Sequence, residues 1–453
     1  MTAAALSPLA QIRMTIGGVL GRGSTILVGT NIALLMMRIV TTMVLSRLLN
    51  SAAFGLVGIV TTATIVVVMI SDLGFYPFIL RHKSVLDDEF LDQVWTVRLI
   101  RSVGLTAGLI LVAKPVELFT HVPGLQWPLI AASSTLLLEG LSSMAFATAA
   151  RERKVLSLSL LDGVPTVIST VGVLVLAYFI RSYWALIIAL IFGAALKTIA
   201  SYAFFPNARR RWNYNRATAQ ELWHFGKLIM PSSIMTLLIS QGDKIILARA
   251  FDLPTFGLYV LASNLAGAPV NLIGGYTSRI LYPEFVTIFH DFKASLKALY
   301  YEKGRYIRWL FAFASGGFIA CGPIIIASLY DHRYQNALIY FSILSFGALV
   351  QFNISVAKEI MVAYGRLKST LVFEGIRLGA IAIFGLGLYH YAGAIGLVYG
   401  LMASLVVLQL CYWVGLLRIG ALSVRQEALF YGIAVAGFGV GRVVNMMGFW
   451  LRH

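Results

Sequence analysis

The sequence predicts an all-α polytopic membrane protein: two six-helix lobes related by a pseudo-twofold along the membrane normal, with a weak extra span at the carboxyl end. Three observations predict it. Of 453 residues, 59% are hydrophobic and only 12% charged, against about 25% charged in soluble domains, and mean hydropathy is +0.83. Apolar runs of bilayer length recur from end to end. Two stretches 202 residues apart repeat, LSRLLNSAAFGL at 45–56 and LARAFDLPTFGL at 247–258. Lipid offers no partner to a backbone N–H or C=O, so spans must be helices or a closed barrel. Barrel strands alternate in polarity over about ten residues, and these runs are too long and too uniformly apolar for that.

Residues 1–23, with Arg13 and Arg22, form a cytoplasmic or interfacial segment. No small-residue cleavage site follows it, so the first apolar run stays as an anchor. The amino-terminal lobe covers 24–205, with spans at 24–46, 54–80, 93–113, 124–148, 156–179 and 183–205. A basic linker at 206–224 holds PNARRRWNYNR. The carboxyl-terminal lobe covers 225–417, with spans at 225–248, 255–282, 307–329, 337–363, 369–390 and 393–417; the segment 418–453 carries the weak thirteenth at 428–447. Gly104 with Gly108, and Gly396 with Gly400, have the small-xxx-small spacing of close helix contacts. Pro165, Pro231 and Pro269 lie inside spans, where proline bends a helix. Trp127, Tyr183 and Trp184 stand near span ends, as interfacial aromatics do.

Lys and Arg alternate between connections. One set holds Arg13 and Arg22, Arg81 and Lys83, the Arg151–Lys154 cluster, Arg209 to Arg211 with Arg216, the Lys293–Arg308 cluster, Arg366 and Lys368, and Arg418 and Arg425. The other set holds only Arg47, Lys114, Arg181, Arg249, Arg333 and Arg452. The positive-inside rule makes the first set cytoplasmic, and the amino terminus with it. The net charge of +17 is spread between apolar runs, so it faces anionic lipid headgroups rather than nucleic acid. Cys321 and Cys411 are packing residues within apolar runs. The histidines have no metal spacing, and no nucleophile arrangement is present. No metal or cofactor is expected.

Arg47 and Arg249 fall at the same outer turn of their halves, and Gly55 aligns with Gly257. A second match pairs SLSLLDG at 157–163 with STLVFEG at 369–375. Six spans is an even number, so both halves have the same topology and the repeat is parallel.

The residues that carry the repeat also carry a resemblance. SRLLNSAAFGLVGI and the DLGF at Asp72–Phe75, then QGDKIILARAFDLPTFGLYVLASNLAGAP from Gln241 to Pro269, and RILYPEF from Arg279 to Phe285, resemble the oligosaccharide flippases. These are the polysaccharide-transport branch of the multidrug/oligosaccharidyl-lipid/polysaccharide exporter superfamily. The resemblance covers roughly residues 20–415; the thirteenth span departs from the twelve or fourteen usual there. It implies a non-enzymatic flippase in the bacterial inner membrane. The cargo would be an undecaprenyl-pyrophosphate-linked oligosaccharide for exopolysaccharide, capsule or O-antigen assembly, moved from inner to outer leaflet by alternating access. Implied partners are that lipid, anionic membrane lipids, H⁺ or Na⁺ as coupling ion, and the polymerase and glycosyltransferases of assembly. Two alternatives stand beside it. One is a cation-coupled drug exporter or peptidoglycan-precursor flippase of the same superfamily. The other is a membrane enzyme of polysaccharide assembly, against which the short outer loops argue.

Charges inside spans are costly, about 2.5–3.5 kcal/mol each on insertion scales, and mark cavities or partners. A pyrophosphate headgroup is anionic, and Arg suits phosphate because its planar fork donates paired hydrogen bonds. Arg38, Arg279, Lys358 and Arg377 are the substrate-contacting candidates for a cationic cavity. Asp72, Glu139, Asp162 and Glu374 are the ion-coupling candidates. Structural readings stand beside these. Arg98, Arg101 and Lys197 can snorkel to headgroups. Glu374 and Arg377, three apart, share a helix face and can neutralise each other, whereas Lys358 needs a partner from elsewhere. Asp72 opens a turn near Pro77. Arg47, Gly55, Asp243, Arg249 and Gly257 belong to the repeated outer turns, with Asp243 and Arg249 read as a cap or a lobe-to-lobe pair rather than as ligands.

Overall fold

In lipid, an apolar run satisfies its backbone only by closing i→i−4 hydrogen bonds, and each long run folds in this way. The computed structural model describes residues 22–82, 87–144, 146, 148–149, 155–205, 209–270, 301 and 305–450. Among them the helices are α1 (Arg22–Leu48), α2 (Ser51–Ile70), α3 (Phe75–Arg81), α4 (Asp88–Thr120), α5 (Gln126–Leu141), α6 (Val155–Ile180) and α7 (Tyr183–Ala203). They continue with α8 (Arg216–Ala250), α9 (Leu253–Ala266), α10 (Arg305–Ala320), α11 (Gly322–Leu329), α12 (Ala337–Ala363), α13 (Leu367–Arg418) and α14 (Val424–Trp450). Among the described residues, eight helices are long and apolar enough to cross a membrane. The count is nine if α10 and α11, bent by 66° at Cys321, make one span. The chain is a multi-pass membrane protein.

It divides into two compact units, Met1–Leu48 with Val60–Leu237, and Leu49–Ile59 with Leu238–His453. In the first unit, α5 lies against α4, where a Cβ on Gly140 would collide with the Ser102 side chain. The carboxyl end of α5 is knit to α7 by polar contacts: Thr198 Oγ1 donates to the Leu138 carbonyl (2.7 Å), Tyr202 Oη to Leu141 (2.6 Å), and the Ser143 N–H to Ser201 Oγ (2.8 Å). A buried cluster of Phe78, Ile79, Phe90, Leu91, Val94, Trp95, Met144 and Leu222 joins α3 to the first turns of α4 and α8.

The second span differs from its expected extent, 54–80. Helix α2 stops at Ile70, and α3 restarts at Phe75. Gly74 takes φ +64° between them, a conformation glycine adopts without a Cβ penalty, and the Asp72 carboxylate accepts its N–H at 2.9 Å. The linker also ends sooner than expected, since α8 begins at Arg216. Asn215 Oδ1 accepts the Ala217 N–H at 2.8 Å, as a capping side chain does. The linker is strapped to α4: the Arg210 side chain is 2% exposed between Asp88 (3.1 Å) and Asp92 (3.4 Å).

In the second unit, the first turns of α2 pack on α9. A Cβ on Gly55 would strike the Leu253 carbonyl, and one on Gly257 would strike that of Ser51. The two glycines that correspond in the sequence repeat thus meet each other. Tyr334 Oη donates to the Leu49 carbonyl at 2.7 Å and its ring sits edge-on to Phe54. Helix α13 is broken at Gly393 (φ 63°, ψ −150°), where the sequence separates spans 369–390 and 393–417. The chain folds back there, with Gly396 against Leu388 and Gly400 against Gly385. The matching expectation is not met among the described residues at Gly104 and Gly108, where a Cβ meets none of their atoms within 4 Å. The weak thirteenth span is a 27-residue helix, α14. It lies close against α10 through Gly316, Gly317, Gly437 and Gly441, while Val435, Val440, Val443 and Met446 on it are exposed.

Candidate functional site

In the first unit, the candidate charged side chains sit on α1, in the turn after α2, and on α4, α5, α6 and α7. Arg38, on α1, is exposed and has no ion-pair or side-chain hydrogen-bond partner among the described residues. Arg101, expected to snorkel, instead caps α2. Its Nε donates to the Ser71 carbonyl (2.9 Å), and its Nη2 to the Val68 carbonyl (2.9 Å) and Ser71 Oγ (3.0 Å). These are the orphan acceptors at a helix carboxyl end, and a forked guanidinium reaches two at once. Asp72 serves the adjoining turn: one oxygen accepts the Gly74 N–H, and the other accepts Ser233 Oγ at 2.8 Å. Glu139 is exposed and within electrostatic reach of Arg98 and Arg101. Asp162 pairs with Lys197 at 2.8 Å, both more than half exposed.

In the second unit, α12 and the first half of α13 are antiparallel neighbours joined by the turn at 364–366. Lys358 Nζ lies 3.5 Å from Glu374 Oε1, and Arg377 Nη1 lies 3.8 Å from Glu374 Oε2. One carboxylate therefore stands between two of the proposed substrate cations. The Glu374 and Arg377 side chains are 12% and 14% exposed, Lys358 47%. Tyr412, buried on the second half of α13, and Asp243, on α8, lie within electrostatic reach of Arg377. Several buried polar atoms here have no hydrogen-bond partner among the described residues: Glu374 Oε2, Arg377 Nε, Tyr412 Oη, Asp243 Oδ1 and both side-chain polar atoms of Gln409. The other Asp243 oxygen accepts the Tyr259 hydroxyl. Arg47 and Arg249 are exposed, and Arg279 lies outside the described residues.

A second polar cluster escaped the sequence reading. Glu427, at the start of α14, accepts Tyr301 Oη (3.0 Å), Arg308 Nη2 (2.7 Å), Asn353 Nδ2 (2.9 Å) and Trp413 Nε1 (3.3 Å). Arg308 and Glu427 are 6% and 5% exposed. With these four donors, the Glu427 carboxylate ties α10, α12, α13 and α14 together. The one available signal was an acidic residue opening an otherwise apolar span.

No group of three or more His, Cys, Asp or Glu among the described residues is placed to hold a metal ion.

The model of a family described as polysaccharide biosynthesis protein matches residues 44–339. The amylovoran biosynthesis protein AmsL of Erwinia amylovora is 23% identical over 259 residues, 56% of this chain and 66% of that relative. Among solved structures, the lipid II flippase MurJ in an inward closed conformation superposes with a TM-score of 0.69 at 13% identity, over 94% of this chain and 92% of its own. An inward-facing multidrug resistance transporter of the MATE family, in the MOP superfamily, gives 0.63 at 12% identity over 87% and 98%. The eukaryotic MATE transporter AtDTX14 gives 0.55 at 14% over 96% and 99%.

Proposed function

Because this chain belongs to the polysaccharide biosynthesis protein family and shares its fold with a lipid flippase and multidrug exporters, we propose that it is a flippase for a lipid-linked oligosaccharide. The cargo is a sugar unit on undecaprenyl pyrophosphate, moved from the inner to the outer leaflet of the bacterial inner membrane. One observation carries the reading: a polysaccharide-biosynthesis family match falls on a transporter fold.

The physical problem is to take a multiply charged, hydrated headgroup across about 30 Å of hydrocarbon. Cations inside the spans lower that barrier by replacing water around the phosphates. Arg38 is the freest of them, and Lys358 and Arg377 share one counter-ion. Arg279 completes the set on sequence grounds. In this reading the two six-helix halves, 24–205 and 225–417, are the lobes of an alternating-access carrier, and the sequence repeat supports a pseudo-twofold between them. The amino terminus is cytoplasmic. An imported H⁺ or Na⁺ drives the cycle through an intramembrane carboxylate. Glu374 is the strongest of the four candidates, because it exchanges contacts with cations that also meet cargo; Asp72 is the weakest, because one oxygen holds the Gly74 turn and the other accepts Ser233 on α8.

The test is reconstitution into liposomes with a radiolabelled pyrophosphate-linked sugar lipid on one side and, separately, a fluorescent cationic drug. The proposal predicts that the sugar lipid changes leaflet chemically unchanged while the drug stays. Drug movement alone would indicate an exporter, and a covalently altered lipid an enzyme.

A further inference from the structure

We propose that Glu374 is a stand-in for the cargo's phosphate, a carboxylate that occupies the substrate cations of the second unit until the headgroup displaces it. The inference rests on the flippase reading and specifies how one of its binding sites is kept.

Three features carry it. First, the contacts are loose. A tight ammonium– or guanidinium–carboxylate bond closes at about 2.7–2.9 Å, whereas Lys358 and Arg377 stand 3.5 and 3.8 Å from Glu374. The second distance is too long for a hydrogen bond, and among the described residues the buried Glu374 Oε2 and Arg377 Nε have no hydrogen-bond partner. A structural clasp in the same unit looks different: Glu427 takes four donors, one of them Arg308 at 2.7 Å.

Second, the unused capacity suits a phosphate. Among the described residues, the Arg377 Nε edge and the hydroxyl of Tyr412, which lies within electrostatic reach of Arg377, have no hydrogen-bond partner. A phosphate offers more acceptor oxygens than one carboxylate and can take the Lys358 ammonium, the Arg377 edge and a hydroxyl together. Lys358 is half exposed on a flexible stem, so it can move from Glu374 to an incoming anion. Arg377 passes from Glu374 to the incoming phosphate, with Asp243 still within its electrostatic reach. Displacement trades anion for anion and strands no cation.

Third, the cluster is at a reachable depth. Glu374 and Arg377 are seven and ten residues into α13, which begins at Leu367; at 1.5 Å per residue that is about 10 and 15 Å. Lys358 is five residues from the end of α12 at Ala363, about 8 Å at the same rise. All three lie within about 15 Å of the 364–366 turn along their helices, and the Arg366 of that turn belongs to the basic set of connections that the sequence reads as inner.

Glu374 therefore competes with cargo. It prevents two unpaired cations in the empty carrier and weakens retention, so that the lipid is released after the flip. The test measures binding of undecaprenyl pyrophosphate to purified protein in nanodiscs, together with translocation. Glu374→Gln is expected to bind about tenfold tighter and to flip more slowly, while Lys358→Gln binds more weakly. Glu374→Gln leaves two cations facing each other and can unfold, so a balanced background is measured too. Glu374→Gln with Arg377→Gln should bind tighter than Arg377→Gln alone. Equal or weaker binding in both comparisons overturns the stand-in role and leaves the flippase reading intact. Unchanged binding in Lys358→Gln and Arg377→Gln instead removes this cluster from the substrate path.

Discussion

Arg101 shows how a charge inside a span earns its place without touching cargo. Its guanidinium satisfies the carbonyls of Val68 and Ser71 where α2 ends, and leaving such acceptors unpaired costs about 1–3 kcal/mol. Arg101→Ala should destabilise the protein by that order, read as a lower midpoint of thermal unfolding in detergent. Arg101→Lys should recover less than half of the loss, because an ammonium cannot fork. The Arg308–Glu427 pair makes the stronger claim. Removing one partner of a buried pair costs about 3–5 kcal/mol, so Glu427→Gln should unfold readily, and adding Arg308→Gln should restore part of the loss. A double-mutant cycle on unfolding reads the coupling directly. Neither role was visible in the sequence. Arg101 and Ser71 are 30 residues apart, and Arg308 and Glu427 are 119 apart; hydropathy and local spacing do not encode which buried polar group finds which. Glu374 with Arg377 was legible, because a separation of three on one helix fixes a shared face. The third member, Lys358, required the α12–α13 hairpin.

Helix contacts in this chain depend on glycine only where two backbones touch. Gly55 and Gly257 are such places, each meeting the backbone beside the other. Leu at either should abolish recovery of monodisperse protein, whereas Leu at Gly104 or Gly108, where a Cβ would meet no described residue, should leave it unchanged. Size-exclusion profiles of the four variants decide this. The first pair was legible from the repeat alone, since the 202-residue offset aligns the two glycines. The second was misleading, because small-xxx-small spacing says that helices can approach there, not that a neighbour does. The break at Gly393 was legible from the restart of apolar sequence. The short helix α3 was not, because the apolar run continues through Phe75–Leu80 and only the Asp72–Gly74 turn interrupts it. Helix α14 is required as well as present: truncation after Ser423 removes Glu427 from Arg308 and uncovers Gly316 and Gly317. The truncated chain should be recovered in far lower amount than the full one.

For the whole molecule, the charge alternation and the thirteen apolar segments make one topological statement. An even number of crossings returns the chain to its starting side, so thirteen spans predict that α14 carries the carboxyl end to the side opposite the amino terminus. Reporter fusions after Arg418 and after His453 should give opposite responses; equal responses would remove α14 from the set of spans. The central claim is that the carrier acts on the charge of the lipid's headgroup, through cations held inside its helices. Its most direct test is the leaflet exchange, in proteoliposomes, of two lipids with the same sugar and the same prenyl chain. One is joined by pyrophosphate and the other by a neutral ether. The account predicts that the pyrophosphate lipid crosses much faster, and that Lys358→Gln and Arg377→Gln together abolish the difference. Equal rates for the two lipids in the wild-type protein would contradict it.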